Sequence, residues 1–206
     1  MPNFKYKAII FDYDDTLVES RKQKWDQHKH VAKKFYNIDI TDGDLGEHWG
    51  KPLHLLVEGL YKLSDTVENI YTNLALTRDD FRKVVYEGSV DLVKRLLKDN
   101  IKIGVVSATA RRFLIDDLKD HGFPLEDFII VQGADDTLVH KPDPAVFTPV
   151  LEKLSKEGIK KEEITYVGDS ITDLEAAHKA GISFVAITTG LYSEEDFKKL
   201  GAKTII

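Results

Sequence analysis

Ala8-Ile9-Ile10-Phe11-Asp12-Tyr13-Asp14-Asp15-Thr16-Leu17 decides the reading of this chain. The apolar run Ala8 to Phe11 is rich in β-formers and stops at a cluster of aspartates, as a buried parallel strand does at its carboxyl end. The same form recurs at Ile101 to Val106, Phe128 to Val131 and Ile164 to Val167, which run into Ser107-Ala108-Thr109, Gly133-Ala134 and Gly168-Asp169-Ser170; Ser183 to Ile187 makes a fifth strand. Helix-period stretches lie between them, at Ser89 to Lys98, Arg111 to His121, Ala145 to Lys156 and Thr172 to Lys179. This alternation predicts an α/β fold, a Rossmann-like parallel sheet flanked by helices. In such sheets ligands sit at the carboxyl ends of the strands near a switch point, where the polar clusters fall.

Residues 19–87 break the alternation. They show helical periodicity at Arg21 to Tyr36, Leu53 to Leu63 and Arg78 to Tyr86, and no convincing strand. The expected organisation is a core domain of residues 1–18 and 88–206 with an inserted helical cap domain, 19–87, that emerges beside the aspartates and can cover them. Trp25, Phe35 and Tyr36 are expected to pack the insertion's own core. His28 and His30, two apart on a helix, diverge and read as surface histidines.

Composition narrows the function classes. A chain of 206 residues with 42% hydrophobic and 31% charged residues is an ordinary globular protein. Its net charge of -6 lacks the footprint of a nucleic-acid binder. The absence of Cys excludes disulfides, Cys-ligated zinc, iron–sulfur clusters and thiol catalysis. The start of the chain is polar, and the apolar run after it is too short for a signal peptide or a membrane span, which points to a cytoplasmic protein.

The residues that can carry chemistry sit at the strand ends. If the backbone stays extended past the first strand, Asp12 and Asp14 point to one side. Paired carboxylates suit nucleophile and acid/base work, because an aspartate can accept a phosphoryl group while a neighbour shuttles the proton. A calcium loop is excluded by Leu17 at the required Gly and Gln23 at the required Glu. Asp169 and Asp173, near a helix N-terminus, bring the expected number of converging carboxylates to four. Each close pair would repel by about 4 kcal/mol at an effective dielectric of ~20 unless a cation is present. Oxygen-only ligands favour Mg²⁺. Ser107, and Lys141 in a segment stiffened by Pro142 and Pro144, offer a hydrogen-bond donor and a positive charge suited to a phosphoryl group.

Asp12-Tyr13-Asp14-Asp15-Thr16-Leu17, Ser107, Lys141-Pro142 and Gly168-Asp169-Ser170-Ile171-Thr172-Asp173 resemble the four ordered motifs of the haloacid dehalogenase-like hydrolase superfamily. The insertion resembles the helical cap of its phosphoglycolate phosphatase and β-phosphoglucomutase-like branch. The resemblance implies that Asp12 is the nucleophile forming an aspartyl-phosphate and Asp14 the acid/base. It implies that Asp169, the Asp12 carboxylate and the Asp14 main-chain carbonyl hold Mg²⁺, with Asp173 holding the metal or its waters. Ser107 and Lys141 would bind and neutralise the transferring phosphoryl group. Asp15 stands where many members have Gly. Ala108 stands where many have Asn, so a substrate contact there would come from main-chain N–H groups or the cap.

Rival phosphate sites are absent, since the sequence has neither a P-loop nor a Gly-x-Gly-x-x-Gly after the first strand, and Ser170 lacks the serine-hydrolase elbow. The expected function is Mg²⁺-dependent hydrolysis of a small phosphomonoester, a phosphorylated metabolite, by a monomer or weak homodimer. A phosphomutase and a non-catalytic phospho-ligand binder are the alternatives. His48 and Lys51, in His48-Trp49-Gly50-Lys51-Pro52-Leu53-His54, either face the substrate or mark a solvated helix boundary.

Overall fold

The run Ala8–Phe11 becomes β1, the middle strand of a five-stranded sheet, in the computed structural model, which describes residues 5–49 and 53–206. The other strands are β4 (Lys102–Val106), β5 (Ile130–Gln132), β6 (Ile164–Gly168) and β7 (Ser183–Ala186), in the order β5-β4-β1-β6-β7. Every ladder is parallel, with Ile9 of β1 opposite Ile103 on one side and Thr165 on the other. The chain moves outward from β1 through β4 to β5 and then crosses back to β6, so the switch point lies between β1 and β6.

Successive strand residues point to opposite faces, and each face carries its own apolar layer. Ala8 and Ile10 join Val106, Ile164 and Tyr166 beneath α7 (Thr148–Lys156) and α8 (Ile171–Ala180), which supply Val150, Leu154, Leu174 and Ala177. Phe11 joins Ile103 and Val105 beneath α5 (Ser89–Lys98) and α6 (Arg111–Asp120), which supply Val93, Leu114 and Leu118. Phe197 of α9 (Glu194–Lys199) closes the first layer.

The chain divides into two compact units, Met1–Glu19 with Val85–Ile206, and Ser20–Val84. The crossings between them, β2 (Val18–Glu19) and β3 (Val84–Val85), pair as a second, two-stranded sheet. The helical unit contains α1 (Arg21–Tyr36), α2 (Asp42–His48), α3 (Leu53–Tyr61) and α4 (Val67–Thr77) around Val31, Leu45, Val57, Leu60, Tyr61 and Ile70. No helix among the described residues is long and apolar enough to cross a membrane.

Several local expectations are corrected. The segment Arg78 to Tyr86 is not a helix: a single 3-10 turn at Arg78–Phe81 gives way to β3, where the β-branched pair Val84-Val85 prefers extended backbone. The stretch Ala145 to Lys156 splits into a 3-10 turn, Pro144–Phe147, and α7, because Pro149 has no N–H to continue a helix through it and suits a first turn instead. The strand expected from Phe128 begins at Ile130, since the Phe128 N–H closes a turn onto the Leu125 carbonyl at 3.2 Å. Trp25 and Tyr36 pack against the helical unit's centre, but Phe35 is 41% exposed. His28 is not a surface residue. It lies on the buried stripe of α1 with Val31 and Ala32, and its Nδ1 sits 3.1 Å from the Tyr61 hydroxyl; His30 is exposed.

Candidate active site

The extended backbone of β1 continues into Asp12, whose N–H donates to the Val167 carbonyl of β6 at 2.8 Å. This bond ties the aspartate segment to the sheet at the switch point. Alternation then drives Tyr13 into the apolar layer under α6, fully buried, with its hydroxyl 2.9 Å from His121 Nδ1. Asp12 and Asp14 therefore flank a side chain anchored in the core. The chain next turns sharply, with the Leu17 N–H donating to the Tyr13 carbonyl at 2.9 Å. Asp15 takes the left-handed conformation, φ 53°, which Gly adopts freely and Asp tolerates better than most residues.

Lys141 is the positive centre of the site. Its Nζ lies 3.1 Å from Asp12 Oδ1 and 2.6 Å from Asp173 Oδ1, and it donates to the Tyr166 hydroxyl at 3.0 Å. That hydroxyl donates in turn to the Val106 carbonyl at 2.9 Å, next to Ser107. Burial alone would lower the Lys141 ammonium, but Asp12 and Asp173 hold it well above its ordinary value. Burial pushes the Asp12 carboxyl up to about 7 against the pull of Lys141, with Asp173 and Asp14 adding to the rise.

Asp173 is positioned by a capping box at the start of α8. Its N–H donates to Ser170 Oγ and its Oδ2 accepts from the Ser170 N–H, both at 3.1 Å. Asp169 precedes this cap, so it and Asp173 do not share a helix face. They are brought together across the cap instead. Each of Asp12, Asp169 and Asp173 offers a carboxylate oxygen within 4.8 Å of the others. Burial, reinforced by Asp173 and Asp12, raises the Asp169 carboxyl well above its ordinary value.

These three carboxylates suit a hard divalent cation such as Mg²⁺, which takes oxygen ligands. Asp12 Oδ1 is buried and meets the Lys141 ammonium at 3.1 Å but accepts no other hydrogen bond. Two glycines leave room for the acids: a Cβ on Gly190 would fall 1.9 Å from Asp169 Oδ2, and one on Gly168 would fall 2.5 Å from Asp173 Oδ2.

Three of the four expected carboxylates meet within 4.8 Å; the fourth, Asp14, accepts a 2.5 Å hydrogen bond from the Thr109 hydroxyl and lies near enough to add to the rise of Asp12. Ser107 is buried at the end of β4, its N–H bonded to the Gln132 carbonyl at 3.0 Å and its Oγ accepting from the Thr109 N–H at 3.1 Å. Ala108 is exposed. His48 ends α2 in the helical unit, and its ring lies where a Cβ on Gly59 would be, 2.3 Å from Cε1. Lys51 lies outside the described residues.

Sequence reasoning missed Thr109, Tyr166 and Gly190. Tyr166 alternates with Ile164 on the core face of β6 and reads as packing. Gly190 follows Thr188-Thr189 just past β7, a small and polar strand end of the kind that marked the other site segments.

A sequence profile of the family described as haloacid dehalogenase-like hydrolase matches residues 9–187. The chain belongs to the haloacid dehalogenase-like hydrolases. Within this family, a phosphoglycolate phosphatase of Pseudomonas putida is 32% identical over 89% of this chain and 70% of its own. The pyrophosphatase PpaX of Halalkalibacterium halodurans is 26% identical over 91% of this chain and 86% of its own. A crystal structure of a Bacteroides fragilis protein assigned to the same hydrolases superposes with a TM-score of 0.83 at 27% identity, covering 98% of this chain and 97% of that one. The relatives support a phosphatase of the haloacid dehalogenase-like family, with its parallel sheet and flanking helices.

Proposed function

We propose that this haloacid dehalogenase-like phosphatase hydrolyses a small phosphomonoester through an aspartyl-phosphate on Asp12. The observation that carries the reading is the meeting of Asp12, Asp169 and Asp173 with Lys141 at the switch point of the sheet. An Asp12 oxygen attacks phosphorus, the bond from phosphorus to the ester oxygen breaks, and Asp14 gives that oxygen its proton. Water then attacks the phosphorus of the aspartyl-phosphate, Asp14 takes the water's proton, and Asp12 and inorganic phosphate are released. Lys141 and Ser107 bind the phosphoryl oxygens, where fixed charge and donors stabilise the developing transition state.

Mg²⁺ would be held by Asp12 and Asp169 with the Asp14 main-chain carbonyl, and Asp173 would hold it or its waters. When bound, it supplies the charge that lets an anionic nucleophile approach an anionic ester. Lys141 offsets only part of the acidic charge, which supports this assignment. Residues 1–18 and 88–206 are read as the core domain carrying the chemistry and 19–87 as the cap domain, a reading supported by the compactness of the two units.

The test is phosphate release from a small aryl phosphate by the purified protein, with Mg²⁺ and with chelator, beside Asp12→Asn. Turnover that requires Mg²⁺ and disappears in Asp12→Asn is expected. Equal turnover in Asp12→Asn would remove the covalent mechanism.

A further inference from the structure

We infer that Thr109 is a positioning residue for the acid/base Asp14, an inference that rests on the phosphatase reading above. The Thr109 hydroxyl donates to Asp14 Oδ2 at 2.5 Å, joining residues 95 positions apart at the ends of β4 and β1. The main chain of Thr109 is itself held on both sides. Its N–H donates to Ser107 Oγ at 3.1 Å, and its carbonyl accepts from the Ala134 N–H at 3.0 Å.

The same segment lies flush on Gly133, where a Cβ would fall 2.8 Å from the Thr109 carbonyl oxygen and 2.3 Å from the Arg111 nitrogen. The hydroxyl is thus presented from a backbone that cannot retreat, and Asp14 is the side chain it meets.

A hydroxyl suits this task for a reason specific to a group that cycles between acid and base. It donates to Oδ2 when Asp14 is ionised and equally when Asp14 carries its proton on Oδ1, since Oδ2 keeps a lone pair in both forms. Thr109 can therefore hold Asp14 in one orientation through both half-reactions, when Asp14 gives its proton to the leaving oxygen and when it takes one from water. Fixing Oδ2 also fixes where Oδ1 points. Proton transfer demands that geometry before it demands a suitable pKa. Lys141, anchored to Asp12, Asp173 and Tyr166, holds the nucleophile's side of the site by separate contacts.

The experiment compares two esters in the full-length protein with Mg²⁺: an aryl phosphate, whose leaving group departs without a proton, and an alkyl phosphate, whose leaving group needs one. The value of kcat/KM reports the first phosphoryl transfer, where Asp14 acts as acid. Thr109→Val should lower kcat/KM for the alkyl ester by about 10- to 100-fold while the aryl ester changes by less than ~3-fold, as loss of oriented general-acid assistance predicts. Competitive inhibition by inorganic phosphate should be unchanged. Thr109→Ser should restore the alkyl ester to within ~3-fold of wild type, because the hydroxyl is what matters. If Thr109→Val does not fold, Thr109→Ala repeats the comparison. Asp14→Asn should show the same selective loss, deeper.

Equal losses on both esters, weakened phosphate inhibition, or a Thr109→Ser variant no better than Thr109→Val would overturn the inference and leave the phosphatase reading intact. Wild-type protein that cleaves neither ester would overturn both.

Discussion

The Lys141 ammonium and the Asp173 carboxylate form a 2.6 Å ion pair with the lysine side chain 9% exposed and the aspartate fully enclosed. Breaking a buried pair by removing one partner costs about 3–5 kcal/mol, because the survivor is left as an uncompensated buried charge. Lys141→Met should therefore destabilise the metal-free protein strongly, since it strands both Asp173 and Asp12. Adding Asp173→Asn to Lys141→Met should cost clearly less than the two single losses together, a coupling of about 1–3 kcal/mol for residues in one network. Urea unfolding of the four proteins in chelator checks this; additive losses would mean that the pair is not coupled.

Mg²⁺ should stabilise the fold through the same acids. A ligand at a hundredfold excess over its Kd adds about 2.7 kcal/mol. Asp169→Asn should abolish most of the melting-temperature gain on adding Mg²⁺. It should also leave the metal-free protein no less stable, because it removes a carboxylate that burial, Asp173 and Asp12 already oppose in its charged form. A metal-induced gain equal to wild type in Asp169→Asn would rule out Asp169 as a ligand.

Gly190→Ala places a methyl 1.9 Å from Asp169 Oδ2, so one of the two must move. Overpacking of this kind costs about 1–3 kcal/mol. The expected signature is a weaker response to Mg²⁺ in both turnover and thermal stability, with little change in circular dichroism.

His28 gives the helical unit an acid-sensitive component. Burial, with a smaller contribution from Lys24, pushes its imidazole down to about 4 from an ordinary 6.5. Between those values the unfolded chain takes up a proton that the folded chain refuses, so stability rises with pH there. The contribution is fully present above pH ~6.5 and is lost as pH falls towards ~4. It amounts to about 3 kcal/mol, the free energy of protonating the imidazole in the unfolded chain but not in the folded one. Denaturation measured from pH 4 to pH 7 should show a shallower dependence in His28→Asn than in wild type.

The sheet and its acidic edge were legible because each strand is a short apolar run that ends at a polar cluster. Asp12, Asp169 and Asp173 stand where those endings put them, and Ser89–Lys98 and Arg21–Tyr36 have the predicted bounds. What escaped was set by contacts that no local pattern encodes. Periodicity places His28 on a helix, but only packing against Tyr61 makes its face an interior one. Extended backbone predicts that Asp12 and Asp14 point the same way, but only the fold brings the Thr109 hydroxyl, 95 positions along the chain, onto the Asp14 carboxylate. Tyr166 looks like one more core aromatic until its hydroxyl is seen between Lys141 and the Val106 carbonyl.

The hydrogen-bonded crossings β2 and β3 make the exit and re-entry points of residues 20–84 next-door neighbours in space. Any folded body whose own termini adjoin could be grafted between Glu19 and Val85 without rerouting a strand of the large sheet, as insertions succeed where chain ends lie close. Every acid and base assigned to the chemistry belongs to the recipient, none to the graft. Such an architecture lends itself to exchange, one sheet domain accepting many interchangeable inserts.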